Sequence, residues 1–206
     1  FTKSTVSGYF DNYLSFNECV RKAIQNQQAN IYFTLQVINP RLIGRAYNRL
    51  KATDLTTSDK NAMSYRWIPI DIDPERPADV SATASALRKS IELRDMIRDW
   101  IVDTTDYAAP ITAISGNGAH ILIRLPEDLP VNDDSKKYVK SFLENVYEEF
   151  STNNLIIDTS VYNPSRIWKL YGSKAMKGDE VPVNEYREAL EHRESYIDDL
   201  GGVCAL

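Results

Sequence analysis

The sequence predicts a mixed fold, α/β or α+β, and three observations carry that expectation. Strand-like and helix-like patterns alternate along the 206 residues. Two long segments, Thr83 to Val102 and Ser135 to Phe150, carry apolar residues at helical spacing. Short β-branched and aromatic runs bounded by turn residues lie around them. No internal repeat or low-complexity stretch interrupts the alternation.

In chain order, Ser15 to Glu18, "SFNE", has the form of a capping box. It predicts a short helix with Phe16, Val20, Ala23 and Ile24 inward. "IYFTL" (Ile31 to Leu35) reads as a strand. "NPRLIGRAYNRLK" follows, with Asn39 suited to an N-cap and Pro40 to a first helical position. A helix there would bury Leu42, Ile43, Ala46 and Leu50 and align Arg41, Arg45 and Arg49 along another face. "WIPIDID" (Trp67 to Asp73) is a strand in which Pro69 points to an edge position or a bulge. The helix from Thr83 to Val102 buries Leu87, Ile91, Ile97, Trp100 and Ile101. "ITAIS" and "AHILIRL", joined by "GNG", form a hairpin signal. The helix from Ser135 to Phe150 buries Val139, Phe142, Leu143, Val146 and Phe150. "LIIDTSVY" and "RIWKLYG" are further strands, and the tail from Asn184 reads as a polar helix.

The bulk numbers bound the function. Hydrophobic residues make up 43% of the chain, enough for a sizeable core, and the net charge is −5. That balance argues against a generalised nucleic-acid coat protein but leaves room for a local basic groove. Cys19 and Cys204 are too few and too far apart in sequence for a disulfide scaffold or a zinc site. A reducing cytoplasm is therefore the expectation. No apolar run approaches the roughly 20 residues of a membrane span, and no signal peptide is visible. A chain beginning at Phe1 rather than Met is expected to be a piece of a longer polypeptide, with fused or associated domains unseen.

Three stretches can carry chemistry. In "WIPIDIDPERP", side-chain alternation puts Asp71 and Asp73 on one face of the strand and Ile72 on the other. Two carboxylates about 7 Å apart on a partly dry surface raise each other's pKa. A divalent cation, a basic side chain or a helix N-terminus would offset that cost. The plainer alternative is an acidic strand end leading into a Pro74–Pro77 turn. In "SGNGAH", Gly116 and Gly118 allow close backbone approach, and amides of such a turn can cradle an anion. Ser115, Asn117 and His120 flank the same point, although, taken alone, His120 reads more simply as a satisfied, partly buried histidine of a hairpin. In "IDTSVYNPSRIWKLYGSKAMK", Asp158 ends an apolar run as Asp71 does, and Arg166, Lys169, Lys174 and Lys177 follow. On an ideal strand Arg166 and Lys169 face opposite ways, so a bulge or turn is needed to aim both at one site. Together the stretches combine hard-cation ligands with phosphate-holding groups.

The set resembles the catalytic domain of the archaeo-eukaryotic primase superfamily, in its prokaryotic primase-polymerase branch. "DID" is similar to the first motif, "SGNGAH" to the second and "IDTSVYNPSRIWKLYG" to the third. "VYNPSRIWKLYGSK" resembles the corresponding segment of eukaryotic primase-polymerases. The likeness runs from about Ser7 to Lys177 and is nearest to enzymes of mobile elements, phages and CRISPR loci. It implies an α+β fold, an RRM-like antiparallel sheet with flanking helices packed beside an N-terminal α/β unit. The divisions it suggests are 1–65 for that unit, 66–177 for the catalytic core and 178–206 for a C-terminal extension.

The implied activity is template-directed primer synthesis and extension. Asp71, Asp73 and Asp158 would bind two Mg²⁺ or Mn²⁺ ions. Ser115, Gly116, Asn117, Gly118, His120, Arg166, Lys169 and Lys174 would bind the incoming dNTP or NTP. Single-stranded or primed DNA would be the template, and no membrane is involved. Arg41, Arg45 and Arg49 are candidates to track the template, with a solvated helix face as the alternative. Tyr32, Tyr47 and Tyr162 are candidates to sense the 2′ position. Two other functions compete: a phosphatase with a nucleophilic aspartate, and an inactive nucleic-acid-binding module of the same fold.

Overall fold

A computed structural model of the chain describes residues 5–25 and 29–202; Cys204 lies outside them. The architecture is α+β. A six-stranded antiparallel sheet is built on β5 (Ala62–Pro74) and β7 (Ala119–Pro130). β6 (Ile111–Ile114) lies beyond β7, and β10 (Tyr196–Asp199) forms the edge beyond β6. On the other side of β5, its start pairs with β3 (Val37–Ile38) and its end with β8 (Leu155–Ile157). Two small sheets stand apart from it. β1 (Val6–Ser7) pairs with β4 (Lys51–Ala52), and β2 (Tyr32–Thr34) pairs with β9 (Ile167–Lys169).

One face of the main sheet is covered by α2 (Ala84–Thr104) and α3 (Asp133–Phe150). Thr83 caps α2 by accepting from the Ala86 amide at 3.2 Å, and Asn132 caps α3 by accepting from Ser135 at 2.8 Å. The core lies between these helices and the sheet. Ile68, Ile70 and Ile72 of β5 and Ile121, Ile123 and Leu125 of β7 meet Leu93, Ile97 and Ile101 of α2 and Val139, Leu143 and Val146 of α3. Alternation then leaves Pro69, Asp71 and Asp73 on the opposite face of β5.

Pro69 sits inside a central strand, and the ladders show how it is tolerated. The Asp71 carbonyl accepts from the Asp158 amide on the β8 side. Residues two apart turn their backbone polar groups the same way, so Pro69 turns its missing N–H to that side too. There the β3 ladder has ended at Ser64 and the β8 ladder starts only at Ile72. No donor is lost, because locally this is an edge.

Several expectations are corrected. The first helix, α1 (Tyr13–Gln25), starts before Ser15. Its first turn is capped by Asn12, which accepts from the Ser15 amide at 2.9 Å, rather than by a box from Ser15 to Glu18. The segment after Asn39 is a 3-10 helix, Pro40–Arg45, and stops there. Asn39 does cap it, through the Arg41 amide. An α-helix fails to continue because Ala46 and Asn48 pair their backbones with Tyr9, at 3.2 and 2.9 Å. Arg41, Arg45 and Arg49 therefore share no helix face, and Leu50 is exposed. "LIIDTSVY" is strand only to Ile157; Asp158 caps a 3-10 helix, Thr159–Tyr162. The tail from Asn184 is not helical. Val181 bridges Leu190, Asn184 bridges Arg187, and the chain then adds β10 to the main sheet. Arg94 of α2, buried, ties that strand down through Asp198 at 2.8 Å. No helix of the described residues is long and apolar enough to cross a membrane.

Candidate active site

The uncovered face of β5 and β7 opens into a groove roofed by β9 and the loop after it. Asp71, Asp73, Ser115, Asn117, His120, Asp158, Arg166 and Lys169 all line it. Residues up to about 100 positions apart are thus gathered at one point. The gathering follows from register. Asp71 is the cross-strand partner of His120, and the amide of Asp158 bonds the carbonyl of Asp71 at 3.0 Å.

The β6–β7 turn is closed around Ser115. Its Oγ accepts from the amides of Gly118 (2.9 Å) and Asn117 (3.4 Å), so those two N–H groups are engaged inside the turn. Gly118 is pressed against β5: a Cβ there would overlap the Ile72 carbonyl oxygen and Asp73 Oδ1. Gly116, at φ 101°, backs onto Ala175 and the Arg193 carbonyl instead of the groove. The C-terminal segment thus braces this turn.

Arg166 and Lys169 reach the same groove because Arg166 precedes β9. Its amide bonds Asn163 in a turn, at 3.0 Å, which frees it from strand alternation. Its Nη2 donates to the Ser160 carbonyl at 2.8 Å, and its buried Nε has no partner among the described residues. Lys169 is 5% exposed. Its ammonium donates to the Lys174 carbonyl (2.6 Å) and Asn30 (3.3 Å), with no carboxylate partner among the described residues. Burial lowers its pKa to about 8. Lys174 lends only that carbonyl; its side chain is not among the groove-lining groups, and neither are Arg41, Arg45 and Arg49.

Each acid already has a protein contact. Asp71 Oδ1 is 3.3 Å from His120 Nε2. Asp73 Oδ2 is 3.2 Å from Arg76 Nη2. Asp158 Oδ1 accepts from the Ser160 amide at 2.8 Å. Burial first, then the charge of Asp71, holds the Asp73 carboxyl above the usual range, and Arg76 opposes both. This is the repulsion expected from Asp71 and Asp73 side by side, tempered by water because Asp73 keeps 38% of its side-chain surface.

The donor set suits a hard cation. Three carboxylates supply the oxygens that Mg²⁺ or Mn²⁺ prefers, and a cation beside Asp73 would offset the cost of its charge. Among the described residues no three His, Cys, Asp or Glu side chains are already gathered as a ligand cluster. In the conformation seen, one oxygen of each carboxylate is turned to a protein partner: Asp71 Oδ1 to His120, Asp73 Oδ2 to Arg76 and Asp158 Oδ1 to the Ser160 amide. The fit is one of charge and ligand type.

Sequence reasoning missed Arg76, Asn30, Trp168 and Tyr171. Arg76 lies inside "DIDPERP", three residues after Asp73, where it was hidden by reading that stretch as a proline turn. Of the three tyrosines considered, Tyr32 lines the groove, while Tyr47 and Tyr162 do not.

No protein-family model matches the chain, and no curated protein does. Two solved structures are similar to it. The polymerase domain of Ligase D from Mycobacterium tuberculosis, in complex with DNA, matches with a TM-score of 0.42 and 16% identity over 57% of this chain. The chain spans 42% of that structure's length. The AEP domain of the primase-polymerase of cyanophage S-2L matches with a TM-score of 0.41 and 13% identity, over 90% of this chain and 91% of that one.

Proposed function

We propose that this chain is the catalytic domain of a template-directed nucleotidyltransferase of the archaeo-eukaryotic primase type. The observation that carries the reading is the convergence of Asp71, Asp73 and Asp158 with buried, carboxylate-free Lys169 on one groove. Acids on one wall and an unneutralised cation on the other suit a nucleoside triphosphate held by divalent ions.

In the proposed reaction a primer 3′-hydroxyl attacks the α-phosphorus, the new P–O bond forms, and pyrophosphate leaves. Asp71, Asp73 and Asp158 would hold Mg²⁺ or Mn²⁺, which when bound helps to ionise the attacking hydroxyl and neutralises the leaving group. Lys169 and Arg166 hold phosphate oxygens. Ser115, Gly116, Asn117, Gly118 and His120 shape the nucleotide's bed, Gly116 and Gly118 through backbone fit, and Lys174 anchors Lys169. Tyr32, which lines the groove, would be the tyrosine that senses the 2′ position. The 1–65, 66–177 and 178–206 divisions are working units of this proposal, although β5 begins at Ala62 and β10 belongs to the main sheet.

The test is purified protein with Mg²⁺ or Mn²⁺, labelled nucleotides of both sugar types, and single-stranded DNA with and without a primer. Extension or primer synthesis supports the reading. Phosphate release without DNA would point to an Asp-nucleophile phosphatase, and DNA binding without product to an inactive module.

Lys169 gives this reading a pH signature. Its lowered pKa makes the charged form costly in the free fold; that cost is full below about pH 8 and fades as pH rises toward its ordinary 10.5. A bound phosphate favours the ammonium form. Nucleotide binding should therefore take up a proton at pH 8 to 9, and affinity should fall as pH rises through about 8. Lys169→Met should weaken nucleotide binding by roughly 10- to 150-fold, one charged hydrogen bond of about 1.5–3 kcal/mol, and abolish the proton uptake. Calorimetry in two buffers of different ionisation heat measures both. Uptake that persists in Lys169→Met would assign the proton elsewhere.

A further inference from the structure

Four side chains that approach one another from three strands and a loop end at Asp71. Trp168 Nε1 is 2.9 Å from Tyr171 Oη, and Tyr171 Oη is 2.9 Å from His120 Nδ1. The other ring nitrogen of His120 lies 3.3 Å from Asp71 Oδ1. The imidazole is 4% exposed and lies against the Trp168 indole, with ring centroids 4.2 Å apart.

The chemistry of the four groups fixes the direction of the chain. An indole N–H only donates, so Tyr171 accepts from Trp168. The phenol keeps one proton, and among the described residues His120 Nδ1 is the remaining partner within reach of Tyr171 Oη. Nδ1 then accepts, which leaves the proton of a neutral imidazole on Nε2. Nε2–H faces a carboxylate, a group that only accepts. Both ends of the chain select the same tautomer.

We propose that Tyr171 is a positioning residue: its hydroxyl, oriented by Trp168, fixes His120 as the Nε2–H tautomer and thereby holds the Asp71 carboxylate in its working orientation. The proposal rests on the reading of Asp71 as a cation-binding acid, and follows the rule that ligating groups are oriented by the hydrogen bonds behind them. Tyr171 is not a catalytic residue, because its hydroxyl is occupied by the indole and the imidazole. Tyr171→Phe keeps the ring and removes the donor. His120 Nδ1 then loses its hydrogen-bond partner among the described residues, and selection of the tautomer is left to the longer 3.3 Å contact with Asp71 alone.

The chain contains two histidines, so side-chain ¹H–¹⁵N spectra of the full protein can be assigned by comparison with His192→Gln. In metal-free wild type, His120 should show the Nε2–H tautomer and a slowly exchanging Tyr171 hydroxyl proton coupled through space to the imidazole. Tyr171→Phe, folded by circular dichroism, should show mixed tautomers. Its Mn²⁺ affinity, read by electron paramagnetic resonance, should fall roughly 10- to 100-fold, with kcat for extension falling likewise and primer–template Kd unchanged. An Nδ1–H tautomer in wild type, or an unchanged tautomer in Tyr171→Phe, overturns the proposal. If the variant does not fold, the wild-type tautomer and the hydroxyl proton decide. If wild type extends no primer while the tautomer shifts as expected, the functional reading fails and the hydrogen-bond chain stands.

Discussion

Asp71→Ala, Asp73→Ala and Asp158→Ala should each reduce primer extension by at least about 10³-fold, the upper end of what one preorganised electrostatic group contributes. The three acids are not equivalent in the folded protein, and that makes the stability arm of the experiment informative. Asp158 caps the 3-10 helix Thr159–Tyr162, so Asp158→Ala should also destabilise, by about 1 kcal/mol, as loss of a helix cap does. Asp158→Asn keeps the capping oxygen and should lose activity while melting like wild type. Asp71→Asn keeps an acceptor for His120 Nε2 and removes the charge that lifts the Asp73 pKa. It should leave the metal-free protein as stable as wild type, or more stable by on the order of 1 kcal/mol, reduced by water at the open groove. Mn²⁺ with nucleotide should raise the wild-type melting temperature through linkage, and most of that rise should vanish in Asp71→Asn. A destabilised Asp71→Asn beside a wild type indifferent to Mn²⁺ would mean the acid serves the fold and not the chemistry. Near-wild-type extension by any of the three alanine variants would remove the two-ion assignment.

The same comparison has a pH arm with a defined sign. A carboxyl whose folded pKa is raised contributes stability that is present below its unfolded value and lost as pH rises through the folded one. Asp73 therefore makes the metal-free protein relatively more stable in mild acid than at neutrality, the opposite of an acid paired mainly to an arginine. Arg76 reduces the effect without reversing it, because burial and Asp71 are the larger causes.

Where local pattern and tertiary pairing agree, the sequence is easy to read. β5, the β6–β7 hairpin, α2 and α3 are legible because each has a clean period of two or 3.6 and a cap or turn to bound it. The acids are legible for the same reason, since an aspartate that ends an apolar strand is a local anomaly. The misreadings have a common cause. Asn39–Pro40 is a sound helix start, but nothing local announces that Tyr9 will take the backbones of Ala46 and Asn48. The tail from Asn184 is polar enough for a surface helix, yet β6 needs an edge partner and Arg94 needs Asp198. Tyr171 escaped because its partner His120 comes near only where β9 and the loop after it pack over β7, whereas Arg76 and Trp168 bond partners three residues away, Asp73 and Tyr171, that a reading in strands and turns passes over. A sequence displays residue types and spacing; it does not display which strand lies beside which.

Gly118→Ala should damage both stability and extension, for a reason of space and not of backbone conformation. Gly116 needs its positive φ, but Gly118 shows none, so alanine is conformationally acceptable there. The obstacle is β5. A Cβ at residue 118 would overlap the Ile72 carbonyl oxygen and Asp73 Oδ1, and would lie 3.2 Å from Asp73 Cα. The carboxylate can turn away, but the carbonyl cannot, because it is part of the strand that carries both acids. β5 and the turn must separate. Overpacking of this kind costs about 1–3 kcal/mol, which for a domain near 200 residues lowers the melting temperature by roughly 2–12 °C. The loss of extension should exceed what that destabilisation explains: at a temperature where the variant is still folded, kcat should fall at least about tenfold, because Asp73 is displaced directly. Gly44→Ala is the control. Nothing lies within 4 Å of its Cβ position, so it should melt within about 0.5 kcal/mol of wild type. A Gly118→Ala protein that melts and extends primers like Gly44→Ala would show that the turn does not abut Asp73 and that the groove is built differently. A variant that melts early but keeps full kcat would make Gly118 a packing residue alone and free the position of Asp73 from the turn.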